Sequence, residues 1–234
     1  MLDNTVNPAN LSHIVHMPPT TSTQEISRRK AIKDDRDIPA WDTLLTSIQD
    51  LWKSRNPGKA PLKAFISYAW EDLSTEEGKI ANSKLQRYLG NLQDDLQKAG
   101  ISVFLDIGDM HGHMKQRMED NLKSSDVIIT INTPRFKARA EAVPETNLGF
   151  EYRLTLEKTK DIPYGIFPLH YSGDFKDSFP EELKKYLVRD CRDIEQYKEI
   201  LVATQRPLGI IPAIYGIDCD DDQEYQSLVH QWRN

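Results

Sequence analysis

Cysteine is nearly missing from this chain of 234 residues: only Cys191 and Cys219 occur. Two thiols cannot build a disulfide scaffold or a four-cysteine zinc site, so a reducing compartment is the simpler expectation. Long apolar runs are absent as well. No stretch of about 18 apolar residues exists, so no membrane-spanning helix is expected. Met1 to Pro19 shows no basic start followed by an apolar core, so no secretory signal is read there. Positive charge is in deficit, with 30 Lys and Arg against 36 Asp and Glu. A general nucleic-acid binder normally presents a basic face, so nucleic acid is not an expected partner.

Several chemical signatures are missing too. There is no Gly-x-Gly-x-x-Gly or Walker loop to cradle phosphates, no Gly-x-Ser-x-Gly elbow and no plausible Cys–His pair. Asp218, Asp220, Asp222 and Glu224 are spaced like a calcium loop, but the sixth-position glycine is absent and Val229 occupies the twelfth position. An acidic helix start is the better reading. His111 and His113 lie near carboxylates without a third ligand at diagnostic spacing, so no metal site is expected.

What is present is unevenly distributed. Residues 1–37 are mostly Asn, Pro, Thr, Ser and charge, and cannot bury enough apolar area to offset their ordering entropy. They read as a disordered tail in which Arg28-Arg29-Lys30 is a solvated basic cluster. From Ile38 the pattern changes. Trp41, Leu44, Leu45, Ile48, Leu51 and Trp52 recur at helical spacing, with Pro39 suited to a first turn. Residues 38–58 are expected to be an amphipathic helix and linker that docks within the molecule.

A strand–helix alternation follows. Leu62 to Tyr68 is a buried strand pattern. Ser74-Thr75-Glu76-Glu77 has the form of a capping box, and Leu85, Tyr88, Leu89, Leu92, Leu96 and Ala99 form the stripe of a long helix that Gly100 stops. Ile101 to Leu105 is a second strand, and Met114, Met118 and Leu122 mark a short helix. Val127 to Ile131 is a third strand. Helix then begins at Asn132-Thr133-Pro134, breaks near Pro144 and resumes through Lys158. Tyr164 to Tyr171 and Tyr186 to Cys191 read as further strands. A helix with an N1 proline is expected from Ser178, and another around Ile194, Tyr197 and Leu201. Cys191 to Tyr197 and Cys219 to Tyr225 share a spacing best read as chance; the alternative is an edge strand from 207–217 before a last helix, Tyr225 to Trp232. The two cysteines carry no implied pairing. Repeated strand–helix units predict an α/β fold with a five-stranded parallel sheet covered on both faces. The expected layout is a body over 59–204 and an extension over 205–234 that packs on it.

Ligands of such sheets sit beyond the carboxyl ends of the strands. The loop after the first strand reads Tyr68-Ala69-Trp70-Glu71-Asp72, where an aromatic beside carboxylates either stacks on a ligand ring or caps the core. The loop after the second strand runs from Asp106 through Ile107 to His113, and its glycines, Gly108 and Gly112, permit tight turns. After the third strand, Asn147-Leu148-Gly149-Phe150-Glu151-Tyr152 sets one carboxylate between two aromatics. Buried there, Glu151 would act as acid, base or electrostatic stabiliser; on spacing alone, an ordinary helix glutamate is the better reading.

These residues resemble the Toll/interleukin receptor (TIR) family and its SEFIR relatives. Phe65-Ile66-Ser67-Tyr68-Ala69 resembles the first signature box. Ile101 to Asp106, with a loop ending near Gly112, resembles the second strand and its mobile loop. Ser125-Asp126-Val127-Ile128, Thr133-Pro134-Arg135-Phe136 and Gly149-Phe150-Glu151 resemble the bacterial SEFIR-like branch. The resemblance covers Leu62 to Thr204. It implies a flavodoxin-like fold and two modes: cleavage of NAD, as substrate rather than cofactor, between nicotinamide and ribose, or scaffolding through self-association or other TIR domains. In the enzymatic mode Glu151 takes the essential position. Tyr68, Ala69, Trp70, Asp106, Gly112 and Phe150 are the implied substrate-binding residues, the aromatics holding the flat rings. Binding of a nucleotide signal without turnover is a third reading. Two departures stand out: Asn147 occupies a position, one turn before Glu151, where enzymatic relatives carry Trp, and the first loop is acidic where relatives are often basic. Lys79, Lys84 and Arg135 are the candidate cations for a diphosphate. A cytoplasmic location, in the producing cell or a host, is the expectation.

Overall fold

The computed structural model describes residues 38–105, 114–142, 146–162, 164–203 and 209–234. Helix α1 (Ile38–Arg55) is followed by β1 (Lys63–Ser67), α2 (Glu76–Lys98), β2 (Ser102–Phe104), α3 (Met114–Ser124) and β3 (Val127–Asn132). Then come α4 (Pro134–Glu141), α5 (Asn147–Lys158), β4 (Ile166–His170), α6 (Phe175–Ser178), β5 (Arg189–Asp190), α7 (Tyr197–Val202), α8 (Ile210–Tyr215) and α9 (Gln223–Arg233). The five strands form one sheet in the order β2-β1-β3-β4-β5, with every pairing parallel. This is the parallel sheet that the alternation predicts, in the flavodoxin-like arrangement that the resemblance implies.

Strand alternation sorts the core into two clusters. Ile66 and Ile129 join Trp41, Leu45, Ile48, Leu85, Leu89, Tyr197 and Ile210 in the first. Phe65 and Ile128 join Leu122, Phe136, Leu148, Tyr152 and Phe179 in the second. Phe65 pairs with Phe104 in register, and their rings stack at 5.4 Å. Central β3 is buried at every position, as its β-branched run requires.

Helix α1 contributes to the first cluster as a core element. Trp41, Leu45 and Ile48 are wholly buried. Trp41 meets Trp232 of α9 with ring centroids 5.3 Å apart, and Trp52 stacks on Tyr215 of α8 at 5.2 Å. Lys198 lies over both tryptophan rings of the first pair. Arg55 pairs with Asp222 and Glu224, so part of the C-terminal acidic run faces a cation of the same chain.

Several local expectations are corrected. The cap of α2 is Thr75, whose hydroxyl accepts from Gly78 N–H, and not Ser74. Ser74 instead bonds Asp72 through its N–H and its hydroxyl, a competing Asx-type turn. No edge strand forms over the described part of 207–217. Residues 210–215 are helical, because Ile210, Ile211 and Ile214 recur at helical spacing and Pro212 is tolerated in a first turn. Strand β5 is confined to Arg189–Asp190, since Tyr186 N–H already bonds Leu183 O in a turn. The helix expected from Ser178 is instead the end of α6 followed by a single 3₁₀ turn at Glu181–Leu183.

Two glycines make opposite predictions. Gly100 has φ +85°, and a Cβ there would lie 2.5 Å from Gln49 of α1. Gly100→Ala is expected to destabilise the fold by about 1–3 kcal/mol through strain and displacement of α1. Gly90 lies inside α2 with nothing within 4 Å of a built Cβ, so Gly90→Ala is expected to stabilise by about 0.5–1 kcal/mol. Urea denaturation of the two variants checks both signs.

Candidate active site

The order β2-β1-β3-β4-β5 places the topological switch between β1 and β3, and ligands of such sheets sit beyond the carboxyl ends of the strands at that point. Ser67 closes β1 and Asn132 closes β3, and both are buried. Asn132 Nδ2 reaches Thr130 Oγ1 at 2.9 Å and Leu169 O at 3.2 Å. Ser67 Oγ and Asn132 Oδ1 have no hydrogen-bond partner among the described residues.

The first loop continues the strand's alternation. Tyr68 is 9% exposed and belongs to the first core cluster, and Trp70 packs half-buried against that cluster. Ala69 is buried in the second cluster, against which Phe150 packs. The structure thus brings Ala69 and Phe150 to the same cluster and divides the three aromatic candidates between the two. For Trp70, capping the core is the observed packing. Asp106 and Gly112, with the loop from Ile107 to His113, lie outside the described residues.

Glu151 is positioned by how α5 starts. Thr146 caps the helix: its hydroxyl accepts from Gly149 N–H at 2.8 Å and donates to Arg139 O at 2.8 Å, tying the start of α5 to α4. Gly149 packs closely at that junction: a Cβ would come within 3.1 Å of Thr146 Oγ1 and 3.3 Å of Ala142 O. Leu148 and Tyr152 turn inward one helical turn apart, and Tyr152 donates to Glu182 at 2.8 Å. Glu151, adjacent on the helix, is half-buried. At the other end of α5, Lys158 Nζ donates to Lys123 O at 2.8 Å, next to the amino end of β3. Glu151 is two turns earlier, about 10 Å along the axis, and so lies towards the carboxyl ends of the strands.

The acidic first loop proves to be anchored. Glu71 N–H donates to Asn82 Oδ1 of α2 at 3.2 Å. The Glu71 carboxyl is half-buried and its pKa is raised, chiefly by desolvation, against the opposing effects of the Thr133 hydroxyl and the Arg135 guanidinium. Asp72 is held below its ordinary range by the Ser74 hydroxyl and N–H, with Arg135 adding attraction. Among the three candidate cations, Arg135 is thus the one set against the first loop. Lys79 instead pairs with Glu76 at 2.6 Å, and Lys84 is exposed on α2. Thr133 caps α4 by accepting from Phe136 N–H at 3.0 Å, as its place before Pro134 suggests.

The thiols are poor nucleophiles. Burial pushes the Cys191 pKa up to about 12 and that of Cys219 up to about 11. Both are buried and unpaired, and Cys191 Sγ donates to His170 O. Among the described residues no group of three or more His, Cys, Asp or Glu is arranged to hold a metal, and no helix is long and apolar enough to cross a membrane.

A family model described as the TIR domain matches residues 64–204. The chain belongs to the TIR-domain family. The match begins in β1 and runs past α7, so α1, α8 and α9 are elements this TIR domain carries outside the matched region. Yet α1 and α9 share the first core cluster with the matched strands. Comparison with curated proteins and with solved structures gives no match.

Proposed function

We propose that this TIR domain is an NAD glycohydrolase in which Glu151 is the essential carboxylate. The observation that carries the reading is the placement of Glu151: half-buried, beside Phe150, on the part of α5 nearest the carboxyl ends of the sheet. Nicotinamide leaves with the electron pair of its bond to the ribose C1′, and positive charge develops on the ribose ring. A fixed anion next to that ring stabilises the developing charge without reorganising. It also orients the ribose hydroxyls or the attacking water. Water adds to C1′ and loses a proton, giving ADP-ribose; attack by the adenine ring of the same molecule gives a cyclic product instead. Half-burial suits Glu151 to this work, because a carboxylate partly shielded from water acts over a lower effective dielectric. The motifs at Ser125-Asp126-Val127-Ile128 and Gly149-Phe150-Glu151 favour the SEFIR-like branch, and a cytoplasmic setting supplies the NAD.

A second reading is a non-catalytic module that associates with other TIR domains in signalling or host interference. Asn147 in place of the relatives' Trp and the carboxylates Glu71 and Asp72 at the mouth favour it. The discriminating measurement is nicotinamide release from NAD over a wide range of protein concentration, with chromatography of the products. Release that rises with self-association supports the enzyme. Absence of release at concentrations where the chain self-associates leaves the association module.

A further inference from the structure

Helices α1 and α9 pack through Trp41 and Trp232, whose ring centroids are 5.3 Å apart. Beside that contact runs an open groove of about 360 Å³, walled by Pro39, Ala40 and Leu44 of α1 and by Leu228 and Trp232 of α9. Leu44 is buried, Leu228 and Trp232 are half-buried, and Pro39 and Ala40 are exposed. None of the described residues that line the groove is charged, so it offers an occupant no ion pair. Thr43, also in the lining, already donates its hydroxyl to Pro39 O at 2.7 Å, one turn back on the same helix. An apolar occupant therefore leaves that donor satisfied. Both walls lie outside the family-matched residues 64–204, so the groove belongs to what this chain adds to the TIR domain.

We propose that residues 11–17 of the same chain dock in this groove. The stretch reads Leu11-Ser12-His13-Ile14-Val15-His16-Met17, with four apolar residues of seven and no Asp, Glu, Lys or Arg. Leu11, Ile14 and Val15 have the i, i+3, i+4 spacing of one helical face. Seven helical residues are about 10 Å long, and the groove follows α1 from Pro39 to Ser47, about 12 Å. The connection ends at the groove itself: residues 18–37 lead into Pro39 and Ala40, in the first turn of α1. Those 20 residues reach about 70 Å when extended, enough for the stretch to turn back onto the groove. The tether holds it there at an effective concentration on the order of millimolar. A second copy of the chain meets that competition at any lower protein concentration. Residues 1–37 are too polar to build a core of their own, and the groove supplies the apolar wall that they lack. The docking is independent of the glycohydrolase reading.

Nuclear magnetic resonance of the isotope-enriched full chain tests this, with a nitroxide attached at Ser227→Cys. Ser227 is exposed, adjoins Leu228 and does not line the groove. Cys191 and Cys219 are buried and stay unlabelled. In a control the nitroxide sits at Ser124→Cys, exposed at the end of α3, a helix that packs in the second core cluster through Leu122. The Ser227 label is expected to broaden the amide signals of residues 11–17 strongly, and the Ser124 label to leave them sharp. Ile14→Asp changes no described residue and is expected to lower the docked fraction about tenfold or more, because a carboxylate is costly to bury against apolar walls. Leu228→Arg should have the same effect from the groove side. Absence of broadening from the Ser227 label, equal broadening from both labels, or broadening that survives Ile14→Asp overturns the proposal. So does broadening that passes from nitroxide-bearing chains to enriched, nitroxide-free chains in a mixed sample, since a second copy would then be the occupant.

Discussion

Glu151→Gln is expected to lower nicotinamide release by about 10²–10⁴-fold, through kcat and not KM, because the lost charge matters chiefly when the ribose becomes cationic. The substitution keeps size, planarity and half-burial, so it removes charge without opening space. Glu151 lies outside the buried face formed by Leu148, Tyr152 and Thr155, so the melting temperature should move by no more than about 2 °C. Glu151→Asp separates charge from position: the carboxylate survives but retreats by one methylene. An intermediate rate is expected, since a misplacement of about 1 Å costs up to about 10²-fold. Steady-state kinetics that return KM and kcat separately decide the matter. A Gln variant with more than half the wild-type kcat would remove Glu151 from the mechanism. A Gln variant with unchanged kcat and raised KM would make it a binding residue.

The second large effect is on stability. Trp41→Ala should cost about 3–5 kcal/mol, the range for deleting a buried aromatic. Small domains have about 5–15 kcal/mol to lose. Trp41 is wholly buried, touches Trp232 at 5.3 Å and lies under Lys198, so the loss reaches α1, α7 and α9 together. Trp41→Phe should cost markedly less: it keeps a ring, and the Trp41 Nε1 it removes is buried without a hydrogen-bond partner among the described residues. A chain cut to the family-matched residues 64–204 should fail to fold cooperatively, since it leaves Leu85, Leu89 and Leu96 without the α1 side chains that share their cluster. Urea titrations followed by circular dichroism would show both effects. A cooperative transition in the truncated chain, with a midpoint near that of the full chain, would show that α1 and α9 are accessory to the core.

Periodicity carried the sheet. The apolar run over Leu62 to Tyr68 and the β-branched run at Val127 were legible because burial of a strand imposes its residue types directly. The helical stripe of Trp41, Leu45 and Ile48 was equally plain, but not its partner: Trp232 and Tyr215 are distant in sequence, and no local pattern records which stripe meets which. Capping was read one residue early, at Ser74 and not Thr75, because both hydroxyls satisfy the pattern and only the turn with Asp72 separates them.

The candidate site divides in the same way. Glu151 was visible through the motif around it. Tyr68, Trp70 and Phe150 looked equivalent, yet strand parity sends the first two to one core cluster and Phe150 to the other. The acidic first loop looked like an obstacle to an anion; the fold anchors it on α2, where Glu71 N–H donates to Asn82 Oδ1. Element type, strand faces and the α/β class follow from the order of residues, since they depend on neighbours within a few positions. The anchoring of the first loop on α2 and the incorporation of α1 into the core depend on which distant segments the folded sheet brings together, and no single stretch of chain contains that information.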